Sequence, residues 1–166
     1  MFRPMRRSAQ QLPVDETEAI LKSATSGVLA LLGDGGYPYA LPMSFAYSDG
    51  KIYFHSAVEG HKIDAVKRCE KASFCVISED NVIPERYTTE FRSVIAFGKM
   101  RFAEGAEIID GLRLIGKKYA PDDSMENCDK EINSSLSHVA VLVMEIEHIS
   151  GKEARELMVS RKKRER

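Results

Sequence analysis

The chain has 166 residues, 43% hydrophobic and 30% charged, the proportions of an ordinary globular protein long enough to bury a core without metal or disulfide staples. Its formal net charge of −1 excludes broad electrostatic binding to nucleic acid, and the longest uninterrupted apolar run, Val139–Met144, is far too short to span a bilayer. The three cysteines, Cys69, Cys75 and Cys128, lack Cys-x-x-Cys spacing, so neither a disulfide framework nor a thiolate zinc site is indicated, and a reducing compartment, the cytoplasm, is expected.

The basic stretch Met1-Phe2-Arg3-Pro4-Met5-Arg6-Arg7 is followed by polar Ser8-Ala9-Gln10-Gln11 with no apolar segment, so it does not read as a signal peptide. Pro13-Val14-Asp15-Glu16 opens a first helix, with Asp15 or Thr17 near its cap and Ile20, Leu21 and Ala24 as a narrow apolar face that ends near Gly27. Val28-Leu29-Ala30-Leu31-Leu32 is a buried strand, and Gly33-Asp34-Gly35-Gly36 is a hairpin turn that needs glycine. Tyr39–Tyr47 reads as one continuous second strand. Pro42 places it at an edge or a bulge, where no neighbour requires the missing N–H.

Next comes Gly-Lys-Ile-Tyr-Phe-His-Ser-Ala-Val-Glu-Gly-His-Lys, residues 50–62. After the turn signal Ser48-Asp49-Gly50, the β-branched and aromatic Ile52-Tyr53-Phe54 form a strand that becomes polar at His55 and Ser56. From His61, the spacing of Ile63 and Val66 among Lys62, Asp64, Lys67 and Arg68 is that of an amphipathic helix. Hydroxyl and imidazole groups leading through Gly60 to a lysine at a helix N-terminus suit an anion such as a phosphate. On spacing alone, an ordinary solvated connection is the commoner reading. Neither Gly-x-Gly-x-x-Gly nor a P-loop is present.

Ala72–Ser78 is a fourth strand in which Cys75 is a small buried hydrophobe, and Glu79–Arg86 with Pro84 is a loop. Thr88–Phe102 is a long strand in which Gly98 marks a bend or bulge. Ile108, Ile109, Leu112, Ile115 and Tyr119 have helical spacing that ends before Pro121, and the polar Asp122–Ser137 is partly helical. Val139–Ile149 is the last strand, and a short helix after Gly151 ends at Met158. Strands joined by turns too short for a crossover imply a mainly β, six-stranded antiparallel barrel with flanking helices. One domain is expected over residues 1–158. The remainder, 159–166, contains five bases and one acid in Arg161–Arg166 and reads as a frayed basic tail.

Several of these stretches, taken in order, resemble one family. They are Met1-Phe2-Arg3-Pro4-Met5-Arg6-Arg7, Gly36-Tyr37-Pro38-Tyr39-Ala40-Leu41-Pro42, Lys51-Ile52-Tyr53-Phe54-His55-Ser56-Ala57, Gly60-His61-Lys62, Phe91-Arg92-Ser93-Val94 with Phe97-Gly98, and Ser150-Gly151-Lys152-Glu153. Together they are similar to the Nim 5-nitroimidazole resistance proteins of the pyridoxamine-5′-phosphate-oxidase-like superfamily. The resemblance implies a six-stranded split barrel, a homodimer, and FMN, sometimes FAD, held between subunits. It implies that Ser56 and Lys62 hold the phosphate, with His61 as a third partner, and that Ala57 is a cofactor-binding residue of the same segment. Pro42, Met43 and Ser44 would lie along the isoalloxazine, Arg92 and Ser93 would be fifth-strand flavin contacts, and His55 would be the active-site histidine. The chain has no counterpart of the C-terminal Trp and Arg elements of the vitamin B6 oxidases, which argues against that substrate.

Two function classes follow. One is a flavin-dependent reductase of nitroaromatic or related small molecules, with His55 as proton donor. The other is a flavin- or haem-binding protein without turnover. Each site residue also has an ordinary reading: His61 as a solvated first-turn residue, and His55 as a residue of the barrel wall. His138 and His148 read as strand-face residues, and four histidines without i,i+4 pairing do not make a metal site.

Overall fold

Short polar turns between β-branched and aromatic runs dictate the architecture, because only antiparallel neighbours can be joined so tightly. The computed structural model describes residues 2–164. Its strands are β1 (Gly27–Leu32), β2 (Pro38–Met43), β3 (Ala46–Ser48), β4 (Lys51–Ala57), β5 (Lys71–Ile83), β6 (Thr88–Phe102) and β7 (Val139–Glu153). They form one antiparallel sheet of seven strands in the order β2-β1-β5-β6-β7-β4-β3. Helices α1 (Val14–Ser23), α2 (His61–Arg68), α3 (Ala106–Tyr119), α4 (Met125–Ser135) and α5 (Arg155–Arg164) flank it. Alternate residues of the strands meet on one face in a core that includes Leu29, Phe54, Phe74, Val94 and Leu142. No helix among the described residues is long and apolar enough to cross a membrane.

The sheet is consistent with a split barrel, yet it has seven strands and two open edges where six closing strands are expected. The extra strand arises because the stretch read as continuous from Tyr39 to Tyr47 breaks after Met43 and resumes at Ala46. At the break the Phe45 N–H leaves the ladder and donates to the Tyr119 hydroxyl at 2.9 Å, which itself donates to the Thr25 carbonyl. The Phe45 ring is fully buried and packs edge-on against Phe74 at 4.8 Å. A distant side chain thus supplies the partner that a neighbouring strand would otherwise supply. Pro42 lies on an edge strand, paired only with Val28 of β1.

Other details differ from the sequence reading. β5 does not stop at Ser78 but runs to Ile83, because the long β6 pairs with it from Glu79↔Arg92 to Ile83↔Thr88 beyond a bulge after Ile77. Cys75 is only half-buried, since it alternates with the buried Phe74 and Val76 and so falls on the outer face of β5. β7 passes Ile149 and reaches Glu153 by a register shift opposite Phe97 and Gly98. Gly98 is required there, since a Cβ would lie 2.1 Å from the Glu145 carbonyl oxygen. Neither Asp15 nor Thr17 caps α1: Pro13 is the N-cap residue without a side-chain bond, and the Thr17 hydroxyl donates back to the Pro13 carbonyl at 2.8 Å. The last helix, read as ending at Met158, runs as Arg155–Arg164, and residues 165 and 166 of the basic tail lie outside the described residues, as does Met1.

Candidate site at the turn from β4 into α2

The turn into β4 is a two-residue hairpin in which Asp49 and Gly50 have φ of 49° and 75°, the positive values that match the twist of paired strands. Along β4, Ile52, Phe54 and Ser56 point into the core and are buried, whereas His55 and Ala57 are on the opposite face and exposed. The strand ends in Val58-Glu59-Gly60, and Gly60 takes a φ of 116°, a conformation that favours glycine. The first bond of α2 runs from the Asp64 N–H to the Gly60 carbonyl at 3.1 Å, so the N–H groups of His61, Lys62 and Ile63 precede the helical ladder. A Cβ on Gly60 would meet nothing within 4 Å, which leaves the approach to these groups open.

Lys62 turns from α2 toward β2. Its Nζ donates to the Met43 thioether at 3.4 Å, its one hydrogen bond among the described residues, and burial pushes the amine pKa below the usual lysine value. A thioether is a weak acceptor and does not neutralise an ammonium. His61 is engaged elsewhere: its ring stacks on Tyr39 at 4.1 Å, and its Nε2 is 3.6 Å from Asp34. Asp34 also accepts from Arg68 at 2.7 Å, and the hydrogen bond to Arg68 together with the field of His61 holds its carboxyl below the usual range. These contacts fix the start of α2 against the β1–β2 hairpin. Pro42 and Ser44 are exposed on either side of Met43.

The other predicted site residues lie apart from this turn within one chain. The β4–β7 register is unbroken from Lys51↔Glu145 to Ala57↔Val139, so no bulge brings His55 round to the face of Ser56. His55 instead lines a cavity of 560 Å³ beneath α3 and α4. Sequence reasoning missed this cavity, because Leu112 and Ile115 read simply as core positions of a helix. Arg92 and Ser93 are on β6, which β7 separates from β4. Arg92 lies 3.2 Å from Glu79 and 3.6 Å from Glu153, a fully buried carboxylate that also accepts from Arg161 at 2.9 Å. Ser93 is opposite Lys152 and lines a different cleft with Phe97 and His148. No group of three or more His, Cys, Asp or Glu among the described residues is placed to hold a metal ion.

The family model described as pyridoxamine 5′-phosphate oxidase matches residues 13–153. No functionally curated protein matches the chain at the sequence level. Among solved structures, the chain is similar to a protein of Bacteroides thetaiotaomicron assigned to 5-nitroimidazole antibiotic resistance, at 22% identity over 86% of each chain with a TM-score of 0.73. An FAD and heme binding protein from Mycobacterium smegmatis is 17% identical over 92% of this chain and 80% of that one, with a TM-score of 0.73. An FAD-binding protein from Mesorhizobium loti is 25% identical over 87% of this chain and 96% of that one, with a TM-score of 0.59.

Proposed function

Because the chain belongs to the pyridoxamine 5′-phosphate oxidase family, we propose that it binds a flavin, FMN or FAD in its place, and reduces nitroaromatic or related small molecules. The observation that carries this reading is Lys62, a half-buried amine with depressed pKa and no carboxylate partner among the described residues, beside the open N-terminus of α2. A structural lysine in such a place normally has an acid beside it. An anionic ligand explains why this one does not, and a flavin phosphate fits both the ammonium and the first-turn N–H groups.

When bound, a flavin supplies the electron transfer. The residues of the chain bind and orient. Lys62 would hold the phosphate by charge, and the Ser56 hydroxyl and the backbone after Ala57 are the further groups at that end of β4 that would serve it. Pro42 and Met43 at the end of edge strand β2, with Ser44 just after it, would flank the ring system. His61 stays with Tyr39 and Asp34 and fixes the helix that carries Lys62. His55, on the α3 side of β4, would be the donor to a nitro group that gains electrons. A homodimer belongs to this reading, and what supports it is the outer face of β1, β5 and β6, which leaves Val28, Ile95 and Phe97 exposed and Cys75 half so, with Val28, Cys75 and Ile95 in one cross-strand row. Ser93 and Lys152 lie on that side and would meet a flavin carried by the partner subunit. A light-scattering mass of one chain at low micromolar concentration would contradict the dimer.

Titration of FMN into apo-protein tests the site: wild type should bind, and Lys62→Ala should bind markedly more weakly while remaining folded. A second reading, a flavin- or haem-binding protein without turnover, is favoured by one observation. His55 and Ser56 are on opposite faces of an unbroken strand. Turnover of a nitroaromatic with a chemical reductant separates the two readings, and the absorption spectrum of the purified protein separates flavin from haem.

A further inference from the structure

We infer that the cavity between β4, α3 and α4 is a binding site for a compact, largely apolar molecule without negative charge that carries one hydrogen-bonding group, which His55 receives. The inference stands on these three elements and needs no flavin.

The cavity follows from how α3 and α4 are pinned. Gly111 lets α3 lie directly on the sheet, since a Cβ there would be 3.0 Å from the Tyr53 and Val141 side chains. Further along α3, a Cβ on Gly116 would be 2.7 Å from Cys128 Sγ, so α4 approaches α3 at a glycine as well. Arg113 locks the pair with two parallel bonds to Asp129 of 2.7 and 2.9 Å. Close approach at these points and the loop through Ala120 and Asp123 leave a space of 560 Å³, within the range of small-molecule sites.

The walls define the chemistry. Leu112, Ile115, Met125, Ile132 and Val139 make most of the lining apolar. On the strand side, the imidazole of His55 has no hydrogen-bond or ionic partner among the described residues. It is free to donate to or accept from a ligand. Around the same cavity, Asp123 and Glu131 set two carboxylates against the single ammonium of Lys117, which disfavours an anion. The occupant is therefore a largely apolar small molecule without negative charge that carries a hydroxyl, amide or similar group.

The test uses 2-naphthol as probe and 2-naphthoate, the same rings with a carboxylate, as control, titrated into the full-length protein by calorimetry near pH 7.5. Wild type should bind 2-naphthol saturably at one site, at least tenfold more tightly than 2-naphthoate. His55→Ala should weaken 2-naphthol binding about three- to tenfold, the effect of one hydrogen bond. Ala120→Trp, at an exposed position on the cavity wall, should abolish binding, whereas Val14→Trp, on an exposed face of α1, should not. No saturable binding, or binding that Ala120→Trp leaves unchanged, overturns the site, and equal affinity for the two probes overturns the ligand class. If Ala120→Trp does not fold, labelling of Cys128 by a thiol reagent, mapped by mass, decides. Saturating 2-naphthol should slow it at least fivefold, and an unchanged rate overturns the proposal.

Discussion

Replacing Lys62 by methionine should move flavin affinity and apo-protein stability in opposite directions. In the free protein the Lys62 ammonium has only the Met43 thioether at 3.4 Å, and burial lowers its pKa. The folded chain therefore holds this proton less tightly than the unfolded chain. By linkage, the group's contribution to stability rises with pH as the pH climbs toward the unfolded lysine value. At neutral pH the charge is a small liability. Methionine keeps the apolar stem and removes that liability, a gain that solvent screening limits to less than about 1 kcal/mol. This corresponds to a rise in Tm of no more than about 4 °C. Flavin binding loses a charge-assisted hydrogen bond, about 1.5–3 kcal/mol, or roughly a 10- to 150-fold weaker Kd. Quenching of FMN fluorescence gives the affinity and calorimetry of the apo-protein gives the Tm. An unchanged Kd refutes the phosphate assignment, and a Tm lowered by about 5 °C or more would make Lys62 a structural residue.

His55→Ala should keep flavin bound and lose most nitroaromatic turnover, and a flavin-loaded variant with full turnover would remove His55 from the chemistry. Lys118 lies 3.8 Å over the Phe45 ring and donates to the Leu21 carbonyl at 3.3 Å, and burial pushes its pKa down to about 8. Because that value is below the unfolded one, wild type should gain stability relative to Lys118→Met as pH rises from about 8 to 10. Urea unfolding curves whose difference does not change with pH would contradict this. Gly98→Ala drives a methyl group onto the Glu145 carbonyl oxygen, 2.1 Å from the ideal Cβ position, and should destabilise by about 3 kcal/mol or more. Denaturant unfolding within about 0.5 kcal/mol of wild type would mean that the β6–β7 bulge relaxes freely.

The fold is legible wherever local chemistry decides it. The glycine turn after β1, the Asp49-Gly50 hairpin, the span of β6 and the stop of α3 before Pro121 all appear as the sequence implies. What escapes is decided at long range. Glu79, Asp80 and Asn81 are polar enough to read as loop, yet they are strand because β6 offers them partners. Ser44 and Phe45 have strand-like neighbours, yet they leave the ladder because a hydroxyl 74 residues away accepts the Phe45 N–H. Pairing partners distant in the chain override propensity, and a single sequence does not display them.

The site divides along the same line. Its residue types at the strand-to-helix turn are readable, and Ser56, Gly60 and Lys62 share one end of β4 and the start of α2, with Met43 against Lys62. Which residues stand together is only half readable, although the period of two along β4 already sets His55 and Ser56 on opposite faces. Only a bulge would reunite them, and bulges depend on the partner strand, here β7, whose register with β4 is unbroken from Lys51↔Glu145 to Ala57↔Val139. Arg92 makes the same point from the other side. An arginine on a long strand reads equally well as a ligand contact or as half of an ion pair, and only the strands beside it decide. Its guanidinium is committed to Glu79 and the buried Glu153, so in one chain it supports the joint of β5, β6 and β7 and does not face the β4–α2 turn.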